Sequence, residues 1–165
     1  MIEFYGKVSP TCNGKANRER MRERGTGALI LAPIWAALGA FSIVFVFFFP
    51  PLFSVTFGLF FFSLIFLITG ISAKLNARKP PIPCPCQDTT SVLFEDSWIT
   101  YEEIELERTV TLHINDIKKA IDLGDCYLLF VHRREVRDIV CQKSLLVEGE
   151  LEAFEELIAD KLQKA

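Results

Sequence analysis

The stretch that decides the fold covers residues 25–73: GTGALILAPIWAALGAFSIVFVFFFPPLFSVTFGLFFFSLIFLITGISA. It contains no Asp, Glu, Lys, Arg or His. A membrane-crossing helix needs about 20 apolar residues, so the stretch is long enough for two crossings and a turn. Pro50 and Pro51 divide it near its middle, and tandem prolines end one helix and can open the next. The pattern therefore predicts a two-helix transmembrane hairpin, with spans at about 27–49 and 52–73.

Two other interpretations of this stretch fit less well. One long crossing with a buried remainder would leave unexplained why each half is long enough to cross alone. A cleaved signal peptide would be shorter, would begin earlier and would end at a small-residue cleavage site.

The charges on either side of the apolar stretch predict its orientation. Residues 1–24 carry six basic and three acidic side chains, and Lys74, Arg78 and Lys79 follow the second span. The turn between the spans has no charge. Basic groups near span ends are retained in the cytoplasm. We therefore expect a multi-pass protein of the cell (plasma or inner) membrane with both termini cytoplasmic.

Small residues recur along both predicted spans. Ala32, Ala36 and Ala40 are spaced by four, as are Ser54 and Gly58. Such stripes let helices approach closely. Packing of the hairpin on itself is the first interpretation, and a homodimer formed through one stripe is the alternative. Transport by two uncharged helices alone is not expected, because they enclose no polar path.

Composition divides the chain into four regions. A basic cytosolic segment covers 1–24, the hairpin covers 25–74, a proline-rich linker covers 75–87, and a β-rich domain covers 88–165. The linker contains KPPIPCP, which favours an extended polyproline conformation. From residue 80 onward the chain has 9 basic and 18 acidic side chains, a net charge of −9. This excess of acid disfavours binding to nucleic acid.

The β-rich domain alternates apolar and polar residues, as half-buried antiparallel strands do. Asp96-Ser97 and Gly124-Asp125 are typical of hairpin turns. Residues 2–8 are a further short candidate strand. The segment 148–164 predicts an amphipathic helix, whose apolar face consists of Leu151, Phe154, Leu157, Ile158 and Leu162. We expect an α+β protein in which this helix covers the open face of a bent antiparallel sheet.

Short segments of this domain carry a family resemblance. They are VLFED at 92–96, INDIKK at 114–119, YLLF at 127–130 and QKSLL at 142–146, followed by the acidic helix. Their order after a two-span hairpin resembles the YcxB-like family of small bacterial membrane proteins. Ile114 stands where that family usually has Trp, and Gln142 where it usually has Pro. The resemblance implies a pleckstrin-homology-like sheet capped by a C-terminal helix, and it implies no established activity.

Residues suited to catalysis are few. His113 and His132 are the only histidines, and His132 lies beside Arg133, which would lower its basicity. No Gly-x-Ser-x-Gly nucleophile motif and no phosphate-binding loop occur. We therefore expect a protein that is not an enzyme and needs no cofactor, with a cryptic active site as a remote alternative.

The five cysteines lie in or next to the predicted cytosol, where thiols stay reduced. Cys84 and Cys86 form a Cys-x-Cys pair that Cys12 could approach. Structural metal sites usually have four ligands, and a second ligand pair is missing. Free thiols are therefore predicted, and a metal or redox role is the alternative.

Arg133, Arg134 and Arg137 are the remaining candidate contact residues, for a lipid or for a partner. The leading hypothesis is a membrane-anchored, non-enzymatic interaction module whose acidic domain binds a protein or peptide. The runner-up is a sensor of lipid headgroups that uses these three arginines. An anionic leaflet would repel the acidic first hairpin, whose tip is Glu95-Asp96-Ser97.

Overall fold

Two long helices contain the uncharged stretch. In the computed structural model, which describes residues 1–46, 53–84, 88–133, 136 and 138–164, helix α1 spans Pro10–Val46 and helix α2 spans Phe53–Arg78. Both are long and apolar enough to cross a membrane. Only 17% of the most apolar part of α1 and 11% of that of α2 are buried, so neither is the covered core helix of a soluble domain. The predicted break at Pro50 and Pro51 lies outside the described residues.

Helix α1 begins well before the predicted first span. Ser9 caps it, because its hydroxyl accepts a hydrogen bond from the Cys12 amide at 3.3 Å. Pro10 occupies the first helical position, where a missing N–H costs nothing. The polar residues 16–24, which favour helix by propensity, therefore run directly into the apolar part of α1.

The chain folds as two units. The β unit comprises Met1–Ala16 and Ile82–Ala165, and the helical unit comprises Asn17–Pro81. Within the helical unit, small residues let α1 and α2 approach closely. A Cβ added to Gly25 would lie 3.0 Å from the Ala73 Cβ. The Ser63 hydroxyl donates a hydrogen bond of 2.9 Å to the carbonyl of the buried Ala32. Homodimer formation through a stripe stays a prediction.

Two sheets and one short helix form the β unit. The first sheet has the strand order β4-β3-β2-β1-β8, and the second has the order β7-β6-β5-β9. The pairs are antiparallel except for β5 with β9, which is parallel. The elements are β1 (Ile2–Lys7), β2 (Thr89–Glu95), β3 (Trp98–Glu103), β4 (Arg108–His113), β5 (Ile117–Asp122), β6 (Cys126–Val131), β7 (Asp138–Gln142), β8 (Leu146–Glu148), α3 (Leu151–Leu157) and β9 (Leu162–Lys164).

Strand β1 lies inside the first sheet although it comes before the helices in the sequence. It pairs with β2 in an unbroken register from Ile2 opposite Phe94 to Lys7 opposite Thr89, and its other edge pairs with β8. The sequence analysis placed residues 1–24 in a segment of their own, whereas the structure groups Met1–Ala16 with the β unit. Composition does not reveal this, because strand pairing joins residues more than 80 positions apart.

Aromatic rings form the centre of the core. The ring of Phe154 is fully buried, and its centroid lies 5.0 Å from those of Phe4 and Phe94 and 5.1 Å from that of Tyr127. The Tyr127 hydroxyl donates a hydrogen bond to Glu155. Burial and this carboxylate raise the pKa of Tyr127, so the hydroxyl stays protonated and ties α3 to β6.

The predicted α+β class is confirmed, with two long apolar helices, an antiparallel sheet domain and a C-terminal helix. The predicted length of that helix, 148–164, is wrong. Helix α3 covers only Leu151–Leu157, and after Ile158 the chain turns so that Leu162–Lys164 forms β9 beside β5. The Ala120 amide donates a hydrogen bond of 2.9 Å to the Lys161 carbonyl, and this pairing with β5 competes with helix continuation.

Replacement of Phe154 by Ala should destabilise the β unit by about 3–5 kcal/mol, because it leaves a cavity among three aromatic rings. Hydrogen exchange of the β6 amides in the detergent-solubilised full chain measures the loss as a fall in opening free energy. Val147, which is 66% exposed, provides the control, and its replacement by Ala should change that free energy by less than about 0.5 kcal/mol. Equal protection in the Phe154 variant and the native protein would contradict the packing of α3.

Candidate functional site

The first sheet has one covered face and one open face. Its covered face carries core residues such as Phe4, Val92, Ile99 and Leu112. The alternate residues point the opposite way, because successive side chains of a strand lie on opposite faces. We call this second side the outer face; it consists of Glu3, Tyr5, Lys7, Thr89, Ser91, Leu93, Glu95, Trp98, Thr100, Glu102, Thr109, Thr111 and His113.

Trp98 is the most prominent apolar group on the outer face. Its side chain is 56% exposed, and its ring meets the His113 ring edge-on at 5.2 Å between centroids. The two residues are opposite each other on β3 and β4. Tyr5 adds a second exposed aromatic side chain. Exposed tryptophan and tyrosine are the residues that most often anchor protein partners.

Carboxylates share the outer face with these aromatic groups. Glu102 accepts a hydrogen bond from the Thr109 hydroxyl at 2.9 Å, and Glu3 accepts one from the Ser91 hydroxyl at 3.3 Å. Both bonds are formed across strands, so they hold the carboxylates in place on the sheet. The β unit as a whole has 11 basic and 19 acidic side chains, a net charge of −8. The outer face therefore suits a partner that presents basic and apolar groups.

The turn between β3 and β4 extends the outer face at one end. Ile104 and Leu106 are exposed there, and Glu107 adopts a left-handed backbone with φ of 50°. Glu105 lies between them and forms an ion pair of 3.7 Å with Lys7. A hydrogen bond from the Thr89 hydroxyl lowers the pKa of Glu105, so this carboxylate stays charged at neutral pH.

Arg133 lies near the His113 end of the outer face, where it is paired with Asp116, whose carboxylate also accepts a hydrogen bond from the His113 amide. Its guanidinium donates to Asp116 from Nε at 3.3 Å and from Nη2 at 3.2 Å. Hydrogen bonds from the His113 amide and from Arg133 lower the pKa of Asp116, which keeps the pair charged. Arg134 and Arg137 lie outside the described residues, so the predicted three-arginine cluster stays a prediction.

In the described part of the chain, neither histidine forms a catalytic pair with a nucleophilic side chain. His113 Nδ1 accepts a hydrogen bond from the Asn115 amide at 3.1 Å, which caps the turn between β4 and β5. His132 is exposed and follows the end of β6. In the part of the chain that the structure describes, no group of three His, Cys, Asp or Glu side chains could hold a metal ion.

Three of the cysteines are core residues. Cys12 and Cys126 are buried together, with the Cys126 sulfur 4.0 Å from the Cys12 carbonyl oxygen, and Cys141 is also buried. Burial, and secondarily the nearby Cys12 thiol, raise the pKa of Cys126 to about 12, and burial also raises that of Cys141. Cys84 is exposed, and Cys86 lies outside the described residues.

The sequence analysis did not identify the outer face as a site. The signal was available, because Trp98, Thr100 and Glu102 alternate with core residues of β3. What could not be known was which neighbouring strands bring their outward residues beside them. In particular, nothing in the sequence indicated that β1 contributes Glu3 and Tyr5.

Comparison with known proteins adds no further evidence. No protein-family model matches the chain, and no curated protein and no solved structure is significantly similar to it. The function therefore has to be inferred from the residues and geometry of this chain itself.

The buried thiols should be unreactive in the folded protein. In a variant with Cys86 replaced by Ser, N-ethylmaleimide at pH 8 should modify Cys84 alone, because the raised pKa values of Cys126 and Cys141 leave almost no thiolate and burial excludes the reagent. Denaturant should expose Cys12, Cys126 and Cys141 to modification. Intact mass spectrometry counts the adducts, and rapid modification of Cys126 without denaturant would contradict the burial of Cys126 beside Cys12.

Proposed function

We propose that the protein is a two-span, membrane-anchored interaction module without catalytic activity, whose outer face binds a basic segment of a partner protein. The observation that carries this proposal is that β1 pairs with β2, although both long helices lie between these two strands in the sequence. It supports a hairpin whose two ends emerge on one side of the membrane. That arrangement leaves a folded, acidic β unit on that side, available to a partner.

The pairing constrains the topology by simple geometry. Strand β1 precedes α1 and strand β2 follows α2, and the two strands share six consecutive residue pairs. Paired strands cannot lie on opposite sides of a bilayer, so the chain between them must cross an even number of times. The basic residues near both ends of the apolar stretch favour the cytoplasm as the shared side.

The nature of the partner follows from the outer face. Its carboxylates and exposed aromatic groups complement lysine or arginine residues interspersed with apolar ones. We also propose that the β unit is a pleckstrin-homology-like domain of the YcxB-like type. The presence of two sheets and a short helix near the C-terminus supports that assignment.

Lipid sensing by the β unit ranks second. The Arg133 guanidinium is paired with Asp116, and the net charge of −8 opposes approach to anionic lipid. A headgroup sensor would need the charges of Arg134 and Arg137 to outweigh the excess of carboxylates in the β unit. A protein partner needs no such compensation.

Reporter fusions should place both ends of the chain in the cytoplasm. Fusions after residues 24 and 165 should read as cytoplasmic and a fusion after residue 50 as exported, because the chain crosses twice. Alkaline phosphatase and a fluorescent protein that folds only in the cytoplasm give complementary signals. An exported C-terminus combined with a cytoplasmic residue 24 would contradict both the topology and the β1–β2 pairing.

The outer face should determine which partner is bound. Carbodiimide joins carboxylates to lysines in contact, so treatment of native membranes should give an adduct between this protein and its partner. The double variant with Glu95→Lys and Glu102→Lys should lose the adduct. The matched double variant with Glu152→Lys and Glu156→Lys, which makes the same charge change on exposed positions of α3, should keep it.

Replacement of Trp98 by Ala should also weaken that adduct, since this removes the aromatic anchor and leaves every charge in place. The expected loss is at least tenfold, as is usual for a central aromatic residue of an interface. Identical adducts in the native protein and in all three variants would show that the partner binds elsewhere.

A further inference from the structure

A cleft of about 360 Å³ lies in the helical unit, next to the end of the uncharged stretch 25–73. Four basic side chains, one carboxylate and one alanine line it: Arg18, Glu19, Arg22, Lys74, Ala77 and Arg78. The two cations of each helix are four residues apart, so they project from the same face of that helix. The lining has a net charge of +3.

Close contact between the helices brings the two pairs of cations together. Glycine at position 25 allows the approach, because an added Cβ would lie 3.0 Å from the Ala73 Cβ and 3.2 Å from the Gly70 carbonyl oxygen. Gly25, Gly70 and Ala73 each lie less than two helical turns from a residue that lines the cleft. The cations of α1 and α2 therefore line a single small cleft.

Glu19 organises the cations of α1. Its side chain is only 6% exposed, with Oε2 3.5 Å from Nη1 of Arg22 and Oε1 3.9 Å from Nε of Arg18. One carboxylate shared by two guanidinium groups leaves several of their N–H donors for another acceptor, since each guanidinium has five. Lys74 and Arg78 are exposed on the α2 side of the cleft.

The chemistry of this cleft fits a phosphate group. Arginine forks match the oxygen spacing of phosphate, and lysine supplies a further point charge. Basic pockets between helices at the cytoplasmic membrane face commonly hold phospholipid headgroups. We propose that the cleft binds the phosphate group of an anionic ligand, and that in the membrane this ligand is an anionic phospholipid. The lipid source rests on the proposed membrane anchorage, whereas the phosphate site itself does not.

Native mass spectrometry of the purified full chain in detergent tests the proposal. With phosphatidylglycerol and phosphatidylcholine at equal concentration, the protein should retain phosphatidylglycerol preferentially. The double variant Lys74→Gln with Arg78→Gln should lower its affinity for phosphatidylglycerol roughly 30-fold, the effect of two such charges. The matched variant Arg24→Gln with Lys79→Gln removes two exposed cations outside the cleft, and it should retain most of the affinity.

Competition with glycerol phosphate distinguishes a phospholipid ligand from a soluble phosphate ester. If the ligand is a lipid, millimolar glycerol phosphate should not displace bound phosphatidylglycerol. The alternative result is that glycerol phosphate binds the native protein directly and fails to bind the double variant of Lys74 and Arg78. That result would support the phosphate site with a soluble ester as its ligand, and it would do so whether or not the protein is anchored in a membrane. Equal retention of both lipids without binding of glycerol phosphate, or equal losses in the two double variants, would overturn the proposal.

Discussion

The pairing of β1 with β2 is the constraint on which the rest of this structure depends. It joins strands that lie on either side of α1 and α2 in the sequence, and it places both of these strands in one folded unit. Without β1 the first sheet would lose an internal strand, and the Phe4 ring would leave the aromatic cluster around Phe154. The same pairing requires any membrane to be crossed an even number of times.

The outer face follows from this sheet. Because strand residues alternate between faces, the apolar residues that build the core also determine which residues are presented to solvent. On β1 this alternation turns Ile2 and Phe4 inward and Glu3 and Tyr5 outward. A face with three glutamates and an exposed tryptophan is thus a consequence of the core pattern, and it is the surface that we propose for a basic partner.

Charge is distributed unevenly along the chain. The β unit has a net charge of −8, whereas the end of the helical hairpin gathers basic residues into a cleft. The overall net charge of −3 describes neither region. A basic cleft in the helical unit and an acidic β unit are compatible with the proposals that the protein binds anionic lipid at one place and a basic partner at another.

The sequence by itself determined the two apolar helices, the α+β class, the turns at Asp96-Ser97 and Gly124-Asp125 and the burial of Phe154. These features depend on local composition and periodicity, which are visible within windows of a few residues. Only the tertiary structure decided that β1 belongs to the sheet, that Leu162 lies in a strand rather than on α3, and that four cations share one cleft. Each of these depends on contacts between distant segments, and the free energy of such contacts cannot be read from local patterns.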